Sequence, residues 1–347
     1  MARLTPDEHD LRFLRRAAGV LLLIALAIFL YRLTDLLLLL FGATTGAVLL
    51  SAVADGIAAH SRLSRAVGLG IAISLLFAAL GLAGWLFDAE LSDQIGILTD
   101  QLPRDWQRVQ ADLSETALGR MLVDGLRNLA GGSRIATIAA SISFGATEIA
   151  LNFLIILVGA LFIAAQPRLY RAGLIRLTPP AYRGVMADAL DDSGRALRLW
   201  LLTQLVLMSS MGLLVGAGLW LSGLESAAAL GLLAGLSEFI PYVGPTLAMV
   251  PAIIIALAGG GPIVGVLATY AVVRLVQSNF LTPFVQREVV SIPPAVTLFA
   301  ILGFGYVFGT FGLFFAAPLL VVAYVLIGRL YLRETLGDEV TLPGEEG

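Results

Sequence analysis

The stretch SEFIPYVGP, residues 237–245, places a carboxylate, two prolines and a glycine between two strongly apolar segments. The flanking segments, 226–238 and 246–258, each hold about 13 residues and therefore span only ~20 Å as helices. Neither segment crosses a hydrocarbon core of ~30 Å by itself. The sequence therefore predicts two half-helices that form a broken hairpin.

The backbone of this stretch indicates where the tip of the hairpin lies. Pro241 and Pro245 donate no amide hydrogen bond, and Gly244 permits a turn. Unpaired main-chain groups at membrane depth are tolerated only inside protein or beside a watery cavity. We therefore expect the tip to line a cavity.

The composition indicates a polytopic membrane protein. The 347 residues are 58% hydrophobic and 14% charged, whereas a soluble domain averages about 25% charged residues. Apolar runs occupy 17–31, 36–59, 67–87, 138–165, 199–221 and 262–277, and interrupted runs occupy 226–258 and 294–328. The predicted fold is an all-α polytopic membrane protein with about eight transmembrane helices, one or two broken or re-entrant helical hairpins, and an amphipathic helical extracytoplasmic insert.

The distribution of arginine orients the chain through the positive-inside rule. Arginines precede the first run and recur in alternate loops, whereas segment 88–137 carries eight acidic residues against five arginines. Both termini are therefore expected in the cytoplasm. The predicted organisation is a cytoplasmic N-terminal segment (1–16), transmembrane helices 1–3 (17–87), an extracytoplasmic insert (88–137), transmembrane helix 4 (138–165), a cytoplasmic amphipathic segment (166–198), a C-terminal transport core (199–333) and a disordered acidic tail (334–347).

The extracytoplasmic insert has a near-helical pattern of apolar residues. Trp106, Val109, Leu113, Leu118 and Leu122 follow this spacing, which predicts amphipathic helices lying over the outer face. A partly disordered loop is the alternative.

Residue types exclude several kinds of chemistry. The chain contains no cysteine, and its two histidines lie outside the apolar runs. It has no P-loop, HExxH or GxSxG motif, so ATP hydrolysis and enzymatic activity are not expected. We also expect no metal site, no nucleic-acid partner and no cofactor other than a coupling ion, H⁺ or Na⁺.

The second interrupted run has glycines around its middle. Gly309 and Gly312 lie at the expected break, and Pro318 is expected to interrupt the second arm. One hairpin entering from each face is typical of inverted secondary transporters. The alternative is two short full spans, 294–308 and 310–328, joined by a tight outer turn.

Charged and polar residues within apolar runs are candidate pathway residues because burial in the membrane is costly. Glu238 adjoins the proline break and could bind a proton, a cation or substrate hydroxyls, or could be satisfied by backbone amides. Glu148 and Asn152 lie four residues apart on one helix face, where they could line the same pathway or pair with another helix. Gln204 could join helices or contact cargo.

A second polar group precedes Pro283. Arg274 could be the counter-ion of Glu238 or could extend to the cytoplasmic surface. Gln277 and Asn279 could hydrogen-bond a polar solute. Thr282 lies in the same group.

The stretches EFIPYVGPTLAMVPAIIIAL, VRLVQSNFLTPFVQREVVSIPPAV and FGTFGLFFAAPLL occur in that order. Together they resemble the autoinducer-2 exporter family, also called PerM-like permeases. Family members often carry His-Pro where this chain has Ile292 and Pro293, so any proton handling by that histidine must be done otherwise here. The motif positions that match the family are Pro241, Tyr242, Gly244, Pro245, Asn279, Pro283, Gly309, Gly312 and Pro318.

The resemblance implies an inner-membrane transporter that forms a homo-oligomer, for which a pentamer is one arrangement. Some family members are linked to export of autoinducer-2 and others to sodium/proton antiport. The leading hypothesis is a secondary transporter that exports a small polar organic solute, such as an autoinducer-2-like signal, using an ion gradient. The alternatives are a Na⁺/H⁺ antiporter or ion channel that uses Glu238 and Glu148, and a non-transporting membrane scaffold.

Overall fold

The computed structural model describes residues 33–86, 150–224, 226–258, 262–281 and 292–338, with isolated positions at 19, 20, 22, 23 and 88. These ranges contain helices and turns but no strand, which confirms the all-α prediction. Five helices in them are long and apolar enough to cross a membrane, and a bent pair makes a sixth. The predicted span 17–31 lies largely outside the described residues, as do the insert and the end of the tail.

The helices are numbered here in chain order. They are α1 (Thr34–His60), α2 (Arg65–Leu86), α3 (Ala150–Ala165), α4 (Pro167–Leu177), α5 (Arg183–Leu221), α6 (Ala227–Ser237), α7 (Val243–Ala258), α8 (Ile263–Val276) and α9 (Pro294–Leu326). A 3₁₀ turn at Pro180–Tyr182 precedes α5. The wider-wound π-helical segments Gln277–Leu281 and Ile327–Leu336 continue α8 and α9.

A sharp bend separates α3 from α4. The two helices meet at 91°, and Gln166 between them has φ −134° and ψ 56°. Pro167 causes this break because proline disfavours helical geometry in the residue before it. The sequence predicted that the span ends at residue 165, but not that a separate helix follows at a right angle.

Helices α5 and α6 pack closely through glycines. A Cβ atom on Gly231 would lie 2.6 Å from the Cα of Gly216, and one on Gly235 would lie 2.7 Å from the carbonyl oxygen of Met208. Gly212 also lies in this contact, opposite Gly235. Gly212 and Gly216 therefore allow α5 and α6 to pack closely.

Three apolar clusters hold the described helices together. Helices α5–α8 share the first, α1–α3 share the second, and α5 and α9 share the third. Fully buried members of the first include Met211, Val215, Leu219, Leu230, Ala252 and Val266. Gly42 and Gly46 of α1 pack against Phe315 and Ala160, so this glycine pair also allows close helix packing.

Asp55 connects three helices. Its carboxylate oxygens lie 3.1 Å from Nε of Arg65 on α2 and 3.2 Å from Nη1 of Arg198 on α5. The side chain of Asp55 is 38% exposed, so these pairs contribute modestly to stability and mainly fix how the helices meet.

The first hairpin is broken between α6 and α7. The two helices contain 11 and 16 residues, equivalent to ~16 Å and ~24 Å, and neither spans a bilayer core alone. Since Gly231 meets Gly216 and Glu238 meets Gln204, α6 runs antiparallel to α5. The break therefore lies well along α5 from its C-terminal end, and the predicted broken hairpin is confirmed.

The break lies slightly earlier than expected. Gly244 and Pro245 belong to the first turn of α7, where proline is tolerated because that N–H needs no helical partner. The left-handed residue is Tyr242, with φ 66°. Glycine is required at 244 by close approach, since a Cβ atom there would lie 1.7 Å from the carbonyl oxygen of Ser237.

The second hairpin turns at Gly309, whose φ of 64° and ψ of −150° break helix α9. Its arms fold back together, because a Cβ atom on Gly305 would lie 3.3 Å from Cδ1 of Leu313. A Cβ atom on Gly312 would come closer still to the carbonyl oxygen of Phe304. The predicted break at Gly309 is confirmed, whereas the helix continues through Pro318. The first arm is ~22 Å long and the second continues into the π-helical segment Ile327–Leu336, so the choice between a re-entrant hairpin and two short spans stays a prediction.

Candidate functional site

Polar side chains from three elements meet at the break of the first hairpin. Gln204 of α5 donates from Nε2 to the main-chain oxygen of Glu238 at 2.6 Å. Arg274 lies in the last turn of α8, and Gln277 begins the π-helical segment that follows it. We call Gln204, Glu238, Arg274 and Gln277 the polar cluster.

Within the polar cluster, Glu238 has a cationic neighbour. Its Oε1 lies 3.7 Å from Nη1 of Arg274, and the two side chains are 8% and 41% exposed. The carboxylate is therefore buried while the guanidinium reaches the surface of the described protein. Arg274 thus lies near Glu238 and also extends to the protein surface, so the geometry is compatible with both roles considered for it.

Two buried polar atoms of the cluster lack hydrogen-bond partners among the described residues. They are Oε2 of Glu238 and Nε2 of Gln277. Arg274 Nη1 donates to Oε1 of Gln277 at 3.4 Å, which orients the amide so that Nε2 is the free donor. The Gln277 amide lies close enough to the Glu238 carboxylate to interact with it, so the cluster presents a neighbouring donor and acceptor, neither of which makes a well-aligned hydrogen bond, and leaving them so is costly.

More main-chain groups at the break form hydrogen bonds than the sequence implied. The N–H groups of Phe239, Ile240, Val243 and Gly244 all donate to carbonyls of residues 236–241. The expectation that the prolines would leave these amide groups unpaired is therefore wrong, because tight turns pair them locally. The unpaired polar atoms at this tip belong to side chains instead.

Aromatic rings connect this break to the second hairpin. Phe239 stacks on Phe314 with centroids 4.3 Å apart and meets Trp200 edge-on at 5.8 Å. Phe314 in turn contacts Phe315, which contacts Phe41 of α1. The tip of one hairpin therefore packs against the second arm of the other, next to the polar cluster.

Among the described residues, no hydrogen bond joins the other predicted pathway residues to the polar cluster. Tyr242 is 44% exposed at the tip, and the exposed side chain of Asn279 donates to the carbonyl of Leu275 within its own helical turn. Asn152 lies on α3, which packs with α1 and α2, and no hydrogen bond among the described residues joins it to the cluster. Glu148, Thr282 and Pro283 lie outside the described residues.

The sequence left two roles open for Gln204, joining helices or contacting cargo, and in the structure its side chain joins α5 to the break. Its contact with Glu238 depends on how α5 and α6 align, which the glycine contacts decide. Within the described ranges, no group of three or more histidine or acidic residues could hold a metal ion.

Comparison with known proteins gives consistent matches. YrrI of Bacillus subtilis, whose name assigns it to transport, is 30% identical over 44% of this chain and 43% of its own length. The AI-2 transport protein TqsA of Escherichia coli K12 is 24% identical over 78% of each chain. YueF of Bacillus subtilis is 27% identical over 43% of this chain and 40% of its own length.

The matches to the two Bacillus proteins thus span less than half of those relatives. The sequence model of the AI-2E family transporter, in contrast, matches residues 20–331. Because that match covers most of the sequence, including both broken hairpins, this chain belongs to the AI-2E transporter family.

Proposed function

We propose that this protein is a secondary transporter that moves a small polar organic solute across the membrane, driven by an ion gradient. The observation that carries the proposal is the polar cluster at the break of the first hairpin, with a free acceptor on Glu238 and a free donor on Gln277. Polar groups at such breaks are typical of transporter binding sites. The arginine distribution supports an orientation with both termini inside. Export from the cytoplasm across a bacterial inner membrane rests on the resemblance to the family and belongs to the same proposal.

The paired donor and acceptor favour a hydroxyl-bearing solute over a bare cation. A hydroxyl group donates its proton to the Glu238 carboxylate and accepts from the Gln277 amide, so it satisfies both free atoms. A cation would satisfy only the carboxylate and would leave the amide donor unpaired. The name of TqsA suggests autoinducer-2 as the first solute to test.

A Na⁺/H⁺ antiporter remains the second candidate, because a single buried carboxylate is sufficient for cation exchange. The two functions require different residues of the polar cluster. Antiport requires the charge of Glu238 alone, whereas solute transport also requires the donor of Gln277.

The test is flux in proteoliposomes that contain the purified full chain. Autoinducer-2 uptake and sodium-dependent proton movement are measured for the wild type, Glu238→Gln and Gln277→Leu, with Ser210→Ala on α5 as the matched control. Solute transport predicts that both cluster variants lose at least tenfold in uptake, since a lost hydrogen bond to a charged or buried partner costs about 1.5–3 kcal/mol. Sodium-dependent proton movement that survives in Gln277→Leu, without solute uptake in any variant, would favour the antiporter. Wild-type fluxes in Glu238→Gln would refute the site for both functions.

A further inference from the structure

Helix α4 leaves the membrane-spanning part of the chain at a right angle. Only Gln166 separates it from α3, and the two helices meet at 91°. Transmembrane helices tilt by about 20° on average, so a helix perpendicular to α3 runs close to the plane of the bilayer surface. Since α4 starts at the end of a span, it starts at that surface.

One face of α4 is fixed against α5. Nε and Nη2 of Arg171 donate to the two carboxylate oxygens of Asp191 at 2.7 and 2.6 Å, and Nη2 also donates to the carbonyl of Ala187. A bidentate arginine–carboxylate pair has specific geometry. The contact therefore sets the rotation of α4 about its axis.

The opposite face of α4 exposes large apolar side chains. Leu169, Leu174 and Leu177 are 62%, 53% and 84% exposed, and Tyr182 after the helix is 64% exposed. Gly173 lies in the middle of this face with open space around it. An exposed apolar patch of this kind indicates an interaction surface.

Two exposed cations lie on the polar side of α4 rather than on this apolar face. Arg168 and Arg176 are exposed, and neither guanidinium forms an ion pair with a described residue. Arg183 is engaged differently, since it donates to the carbonyls of Thr178 and Arg176 at the end of α4. A helix with an apolar face, arginines on its polar side and an orientation parallel to the surface has the chemistry of an interfacial membrane helix.

We propose that α4 lies in the headgroup region of the bilayer, where its leucines contact acyl chains and Arg168 and Arg176 bind anionic phospholipid headgroups. Bound lipid then contacts the apolar face of α4, while the Arg171–Asp191 contact holds another face of the helix against α5. The surface binds phosphatidylglycerol in preference to a zwitterionic lipid. A second copy of the chain on the same face is the competing occupant.

The absence of cysteine makes a site-specific probe straightforward. Gly173→Cys places an environment-sensitive fluorophore at the centre of the apolar face, where a new side chain meets no neighbour. Gly194→Cys on α5 also lies in open space and serves as the control position. The full chain is reconstituted in phosphatidylcholine vesicles that contain nitroxide-labelled phosphatidylcholine or nitroxide-labelled phosphatidylglycerol.

We expect blue-shifted emission and nitroxide quenching at position 173 but not at position 194. One arginine near an anionic surface strengthens association about fivefold. Two arginines should therefore favour association of labelled phosphatidylglycerol over labelled phosphatidylcholine about 30-fold. The R168Q/R176Q variant should lose most of this preference while retaining the blue shift, and R62Q, at an exposed arginine before α2, should retain both. Helical content and elution volume check that each variant folds.

Two results would overturn the proposal. Water-like emission at position 173 in both vesicles would mean that the face is not in the bilayer. A blue shift that disappears when the protein-to-lipid ratio is lowered, without nitroxide quenching, would assign the face to a second copy of the chain. Because the readout does not involve flux, either result leaves the proposed transport function to its own test.

Discussion

The asymmetry of the Glu238–Arg274 pair predicts that its two partners respond differently to removal of their charge. The side chains are 8% and 41% exposed, respectively, and their nearest charged atoms are 3.7 Å apart. Arg274→Gln leaves a buried carboxylate without its counter-ion, which costs about 3 kcal/mol. Glu238→Gln leaves a guanidinium that water can solvate, so we expect a change within about 1 kcal/mol.

The double variant makes this prediction quantitative. In Glu238→Gln/Arg274→Gln no buried charge remains, so its stability should return to within about 1 kcal/mol of the wild type. The cycle should therefore give a coupling free energy of about 2–3 kcal/mol, in the range expected for contacting residues. Reversible unfolding in mixed detergent micelles, followed by circular dichroism, measures all four proteins.

Two outcomes of the stability measurements would contradict this prediction. If Arg274→Gln and the double variant are equally unstable, Arg274 stabilises the protein by some means other than neutralising Glu238. If all four proteins are equally stable, the carboxylate is not charged in the absence of substrate. Flux adds an independent readout, since Glu238→Gln should abolish transport while leaving stability nearly unchanged.

Three further substitutions test the backbone of the hairpins. Gly244→Ala should lower stability by about 3 kcal/mol or more because the new Cβ atom would lie 1.7 Å from the carbonyl of Ser237. Gly184→Ala is the control, since a Cβ atom there lies in open space. Equal unfolding temperatures for the two variants would contradict the close approach at residue 244. Tyr242→Gly should raise the unfolding temperature by relieving about 1 kcal/mol of left-handed strain, unless the ring makes contacts that outweigh it. Gly231→Ala should separate α5 from α6, so that a disulfide-trapping pair across these helices forms more slowly than in the parent.

The architecture could be predicted from the sequence because each signal for it is local. Apolar runs too short to span a bilayer, with prolines or glycines between them, require a break wherever they lie in the fold. Gly309 was identified in this way, and its positive φ confirms the reason. The break at 238–242 was also identified, although the left-handed position is occupied by Tyr242 rather than by a glycine.

The polar cluster could be predicted only in part because its contacts depend on helix register. The sequence identified Glu238 and Gln277 as polar residues in apolar surroundings, but it could not show that α8 brings Gln277 to Glu238. Gln204 could not be assigned without the glycine contacts that align α5 and α6. The π-helical segment that starts at Gln277 has no sequence signal comparable to proline or glycine, and such segments are frequent at functional sites.

The contact between Phe239 and Phe314 suggests how a solute at the polar cluster could influence the second hairpin. Phe239 follows Glu238 directly, and its ring stacks on Phe314 at 4.3 Å. Phe314 lies five residues beyond Gly309, the one non-helical residue of α9, about which the two arms can pivot. A solute that pulls Glu238 toward itself must carry the adjacent ring with it, since rigid aromatic pairs in a close-packed interior do not separate without cost. The two broken hairpins therefore meet where binding energy can be converted into movement of one against the other, as alternating access requires.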